Sequence, residues 1–157
     1  MKRNLIAAFV AVAALAAGAP SAQAGNIIDE WASVKAPAAP ALKPADVDIK
    51  TTALLIIDMI NETCNAQARP RCVETIPAIQ KLLNDARAKG MTVIYSLGPA
   101  ENNFVEALAP KSGEPIVKSG ADKFVNTELA KMLKDKSIAG VIVVGTLANG
   151  GVLHTAG

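Results

Sequence analysis

From Thr52 onward, unbroken apolar runs alternate with segments whose apolar residues recur every three or four positions. Residues 53–57 are aliphatic throughout and end at Asp58, the pattern of a strand buried on both faces. Residues 75–89 place Ile76, Ile79, Leu82, Leu83 and Ala86 on one helical face. Pro77 would fall in the first turn of that helix, and Gly90 would supply its stop. Residues 91–97 read as a second strand. Asn126 is placed to cap a helix in which Leu129, Met132 and Leu133 share a face, ending near Ser137. Residues 141–144 read as another buried strand, closing at Gly145. Strands alternating with helices predict parallel βαβ units, hence a three-layer α/β/α sheet over residues 52–157.

The N-terminal part reads differently. Residues 1–24 have the signature of a secretory signal peptide: Lys2 and Arg3, an apolar stretch over 5–17, then Ala22-Gln23-Ala24, with cleavage expected after Ala24. The apolar run is too short for a membrane span, which takes about 20 residues, so no membrane association is expected once the leader is removed. The destination predicted is the periplasm or the medium. Residues 25–51 read as a strap: a short helix over 27–34 carrying Trp31, then an Ala/Pro segment over 36–47 with no period.

Composition narrows the function classes. The chain has 157 residues with 16 Lys and Arg against 14 Asp and Glu, and two of those cations lie in the leader. The remainder is electrically balanced, which gives no case for nucleic acid or an acidic membrane surface. Aromatic residues make up only 3%, so a base-stacking platform is not expected. Cys64 and Cys72 lie eight positions apart; in an oxidising compartment they can close a disulfide, or stand as two unpaired thiols. Their spacing is not a zinc pattern and the single histidine, His154, is far away, so neither a metal nor another cofactor is expected.

Ligands of open parallel sheets bind where loops leave the carboxyl ends of the strands. Asp58, residues 96–100 and the turn over 145–151 all collect there. Asp58 reads either as a turn cap or as a carboxylate placed for proton transfer. Lys118, which follows the apolar residues Ile116 and Val117, reads either as a solvated lysine or as the partner of Asp58. The Gly-x-Gly-x-x-Gly fingerprint is absent from the glycines after Val144, which argues against nucleotide binding.

Three blocks, in order, resemble the isochorismatase-like (cysteine hydrolase) family. They are Ala53-Leu54-Leu55-Ile56-Ile57-Asp58-Met59; Lys118 with Phe124, Thr127 and Leu129; and Val141 to Thr146 with Gly151, Val152, Thr155 and Ala156. The resemblance implies a Rossmann-like fold, a small-molecule substrate and hydrolysis of amides or, in one branch, of a vinyl ether. It also implies an Asp–Lys–Cys triad, in which Asp58 matches the aspartate and Lys118 the lysine. The nucleophile position is Gly151, so the thiolate route has no attacking atom. The isochorismatase branch is similar in carrying glycine there, with the aspartate as acid and water completing the reaction. However, residues 147–150 lack that branch's aromatic and histidine-containing run, and Ile60 and Thr63 replace the usual Gln and Phe.

The resemblance further implies substrate-binding positions at Phe124, Leu147, Ala148 and Asn149, a cis peptide around Leu147-Ala148, and homo-oligomers. Family members continue with another strand and helix beyond the position of Gly157. Either the chain is a fragment, or the sheet lacks that element and exposes apolar edges. The expectation is an exported hydrolase acting on a small molecule through an Asp58–Lys118 pair without a cysteine nucleophile. The alternative is a non-catalytic small-molecule-binding pseudoenzyme, or an inactive fragment of the same fold.

Overall fold

A computed structural model describes residues 26–99 and 103–157; the expected leader lies outside the described residues. The described chain falls into two units divided between Lys43 and Pro44. In the first, helix α1 (Ile27–Glu30) begins at Asn26, whose side chain accepts from the Ile28 N–H at 3.0 Å, and a 3₁₀ turn (Trp31–Ser33) follows. Residues 34–43 have no regular structure, as their proline content requires.

The second unit is an α/β sheet. Its strands are β1 (Thr52–Ile57), β2 (Thr92–Leu97), β3 (Ile116–Lys118) and β4 (Gly140–Gly145), all parallel, in the order β3-β2-β1-β4. Helices α2 (Pro70–Ala88), α3 (Leu129–Asp135) and α4 (Leu153–Ala156) complete it. Period-2 alternation in β1 explains the layers. Leu54 and Ile56 pack with Val93, Tyr95 and the Ile79, Leu83 and Ala86 face of α2. Ala53, Leu55 and Ile57 point the other way, onto Ile94, Val117 and the Leu129 and Leu133 face of α3. Fully burying each such aliphatic side chain is worth roughly 1.5–3 kcal/mol, so a strand covered on both faces must be apolar throughout. Among the described residues no helix is long and apolar enough to cross a membrane.

Two helix starts differ from the sequence expectation. Helix α2 begins at Pro70, not near Thr75, with proline in its first turn; Pro77 therefore lies inside the helix. The early turn escapes the periodic pattern because it buries only Cys72, while Arg71 and Glu74 face solvent. Asn126 does not cap α3: it adopts φ +56, and the helix starts at Leu129. The capping bond comes from Thr127, whose hydroxyl accepts from the Leu129 N–H at 3.2 Å and donates to the Lys123 carbonyl at 2.6 Å. Cys64 and Cys72 form a disulfide.

The register aligns the carboxyl ends of β1, β2 and β4, since Ile57 pairs with both Ser96 and Gly145. Gly145 is required at this junction. It sits at φ +137, and a Cβ there would lie 2.1 Å from the Ile57 carbonyl oxygen. Its close approach carries the chain past the end of β1 into Thr146, whose N–H donates to that same carbonyl at 3.0 Å.

Candidate active site

Asp58 is the first residue beyond β1. Its backbone adopts φ +52, a left-handed conformation that aspartate tolerates better than most residues, and its N–H donates to the Ser96 carbonyl at 3.1 Å. This turn aims the carboxylate across the strand ends. The Ser96 hydroxyl donates to Oδ1 at 3.2 Å, and the Lys123 ammonium reaches Oδ2 at 2.7 Å.

The lysine at this carboxylate is Lys123, which corrects the expectation for Lys118. Lys118 ends β3 in a strand whose burial alternates exposed, buried, exposed, so it shares the outward face with Ile116. It lines a neighbouring cleft with Ser119, Asp122, Val125 and Asn126. Five residues later the chain doubles back and sends Lys123 inward. Its side chain is 1% exposed, against 22% for Asp58. The ammonium donates a second bond to the Gly120 carbonyl at 2.8 Å, closing its own loop. The Lys123 N–H donates to the Thr155 hydroxyl at 3.2 Å, which links this loop to α4. Burying a lysine this deeply is tolerable only with such partners, since an unpaired buried charge costs several kcal/mol. Hydropathy does not mark Lys123, because it lies in an irregular loop between Gly120 and Thr127 with no hydrophobic period. The turn chemistry of those flanking residues is the only local signal.

Asp58, Lys123 and Gly151 line one cavity of about 340 Å³ with Ile60, Thr63, Arg69, Pro99, Thr146 and Leu147. Gly151 is buried against the pair: a Cβ built there would lie 3.2 Å from Asp58 Oδ2, 3.1 Å from Ile57 Cγ2 and 3.6 Å from Lys123 Cε. The turn that carries it runs over Ala148–Val152 and is entered through a cis peptide at Thr146-Leu147, one bond earlier than expected. Of the expected substrate-binding residues, Leu147 lines this cavity. Ala148 lines an adjacent one of about 510 Å³ beside Pro70, Cys72 and Thr75. Phe124 and Asn149 are exposed and line neither. Among the described residues, no group of three His, Cys, Asp or Glu side chains is close enough to hold a metal ion. His154 is exposed on α4.

Sequence reasoning did not identify Lys123, Arg69 and Thr63. Arg69 is half-buried and donates from Nη1 to the Thr146 hydroxyl at 3.0 Å. The Thr63 hydroxyl oxygen is buried, with no hydrogen-bond partner among the described residues. Both lie between β1 and α2, in a segment with no hydrophobic period.

Comparison with known proteins identifies the family and the fold. The family model for the Isochorismatase domain matches residues 52–157. The fold is similar to that of a cysteine hydrolase from Pseudomonas syringae pv. phaseolicola 1448A, with TM-score 0.66 and 25% identity over 75% of this chain and 70% of the other. It is also similar to an isochorismatase family protein from Desulfovibrio vulgaris subsp. vulgaris str. Hildenborough, with TM-score 0.62 and 27% identity over 68% and 73% of the two chains. An N-carbamoylsarcosine amidase from Thermoplasma acidophilum shares the fold at TM-score 0.62 and 22% identity, over 68% and 73% of the chains. No curated protein sequence matches the chain significantly.

Proposed function

The chain belongs to the isochorismatase family of hydrolases, and from that premise we propose that it hydrolyses a small molecule through Asp58 and Lys123 without a cysteine nucleophile. The observation that carries this reading is the 2.7 Å contact between Lys123 Nζ and Asp58 Oδ2, inside a cavity large enough for a small substrate. Position 151 is glycine, and Cys64 and Cys72 are joined to each other, so water is the nucleophile. With an amide, Asp58 takes a proton from that water as its oxygen bonds to the carbonyl carbon and the C=O π pair moves onto oxygen. With a vinyl ether, protonated Asp58 first gives its proton to the terminal alkene carbon, and the water that adds to the resulting oxocarbenium carbon returns a proton to Asp58. The proton then passes to the leaving nitrogen or oxygen as the C–N or C–O bond breaks. Lys123 fixes the carboxylate and offsets negative charge that develops beside it. The charged leader and the Cys64–Cys72 disulfide support an exported protein working in an oxidising compartment.

The test is turnover across a panel of small amides and vinyl ethers. The wild-type chain is expected to hydrolyse at least one of them. Asp58→Asn and Lys123→Met should each lower kcat by about 10²–10⁴, the range for loss of general acid–base help. Lys118→Met should leave it unchanged. Full activity in Asp58→Asn, or binding without turnover in the wild-type chain, would overturn the proposal; the second result would indicate a non-catalytic binding protein.

A further inference from the structure

The charges lining the cavity do not balance. Asp58 and Lys123 offset one another at 2.7 Å, which leaves the Arg69 guanidinium as the surplus charge among the described lining residues. Arg69 has five N–H donors. Its one side-chain bond goes from Nη1 to the Thr146 hydroxyl, and among the described residues it makes no ion pair. That single bond is well placed to aim the group. Thr146 is buried immediately beyond β4, anchored through its N–H to the Ile57 carbonyl, so the guanidinium is tied to the frame that carries Asp58. A second, independent observation lies in the same wall. Thr63 lines the cavity, and its hydroxyl oxygen is buried beneath that wall with no hydrogen-bond partner among the described residues. A buried polar atom left unsatisfied costs roughly 1–3 kcal/mol, a penalty that the hydroxyl would shed by rotating towards a ligand oxygen in the cavity.

We propose that Arg69, with Thr63 beside it, is the specificity-determining wall of this site and selects substrates that carry a carboxylate group. A planar carboxylate matches the guanidinium fork, and it can accept from a hydroxyl with its remaining lone pairs. The charge also sets the substrate's orientation: the anionic end lies towards Arg69 and the scissile bond towards Asp58. This inference deepens the hydrolytic reading by naming the substrate class, and it rests on that reading for the word substrate. Its test is independent of turnover.

The probes are benzoate and nitrobenzene, which have nearly the same shape but differ in charge, with inorganic phosphate as a third. Binding to the full chain is followed by amide and guanidinium NMR shifts. Benzoate is expected to bind about tenfold or more tightly than nitrobenzene, and to shift the Arg69 Nε–H and Thr63 signals. Arg69→Ala should abolish that preference, Arg69→Lys should keep part of it, and Thr63→Val should weaken benzoate severalfold. Retention of native amide dispersion in each variant separates loss of the wall from loss of the fold. Equal binding of the two aromatic probes, an undiminished preference in Arg69→Ala, or phosphate binding more tightly than benzoate would overturn the assignment. If benzoate is preferred while no amide or vinyl ether turns over, the hydrolytic reading fails and the anion wall stands.

Discussion

At the scale of single residues, the site depends on how little space surrounds Gly151. A side chain there begins within 3.2 Å of Asp58 Oδ2 and 3.1 Å of Ile57 Cγ2, tighter than ordinary van der Waals contact. Ile57 is fully buried in the sheet and has little room to move, so the strain falls on the Asp58–Lys123 pair. Restoring a thiol by Gly151→Cys is therefore expected to push the pair apart rather than complete a triad. The predicted outcome is a stability loss of about 1–3 kcal/mol, in the range for overpacking, with no gain of amidase activity. Denaturant unfolding and turnover of a simple amide measure the two effects. A Gly151→Cys variant as stable as wild type and newly active on amides would show that the space is larger than the contacts imply.

At the scale of elements, the segment between β1 and α2 forms a wall of the cavity, and a covalent link holds it. The disulfide joins Cys64 in the loop to Cys72 in the first turn of α2, both in the core beneath Leu54 and Met59. The Asn65 side chain closes the same loop, accepting from the N–H groups of Gln67 and Ala68. Closing a loop of this length restricts the unfolded chain by about 2.5 kcal/mol in the chain-entropy account. The double variant Cys64→Ala/Cys72→Ala should thus lose on the order of 10 °C in Tm. It should also weaken ligand binding, because Thr63 and Arg69 lie within or next to the closed loop. An unchanged melting curve on full reduction would refute this role. The elements also show what the sequence could reveal. Strands β1, β2 and β4 are legible because contact with layers or neighbouring strands keeps their runs apolar, and Asp58 is legible as the first polar residue after one. The three-residue β3 is half open to solvent, and that exposure turns Lys118 outward despite its place after apolar residues. Lys123, Arg69 and Thr63 come from irregular loops, where tertiary contacts decide which polar side chain is buried. No periodicity records that choice.

At the scale of the whole α/β unit, one polar network crosses the boundary between layers and makes its stability depend on pH at both ends. Arg87 on α2 donates two hydrogen bonds to Glu114, at 2.8 and 2.7 Å, one to the Ala109 carbonyl at 3.0 Å and one to the Tyr95 hydroxyl at 3.0 Å. Tyr95 lies in β2, fully buried, with its ring edge-on to Phe104 at 5.5 Å. The network therefore ties α2, the central sheet and the segment before β3 together. Burial pushes the Tyr95 phenol up to about 12; the Arg87 charge opposes that rise and the Glu114 charge adds to it. A raised folded value means that the contribution to stability is full below the ordinary tyrosine value near 10 and is lost as pH rises towards 12. Burial works to raise the Glu114 carboxyl, but hydrogen bonds from the Arg87 side chain and the Lys111 N–H outweigh it, and the net direction is down. That contribution is present above the ordinary carboxyl value of 4.5 and is lost as pH falls through the lowered one. Tyr95 is the only tyrosine in the chain, so its ionisation can be followed directly by tyrosinate absorbance. Tyrosinate should form only well above pH 10, and denaturant stability should begin to fall over the same interval. In Arg87→Met the Tyr95 phenol loses a bonded cation, so its ionisation should move higher still as long as the fold persists. A wild-type midpoint near 10 with the fold intact would show that the phenol is open to water and that this network does not hold the layers together.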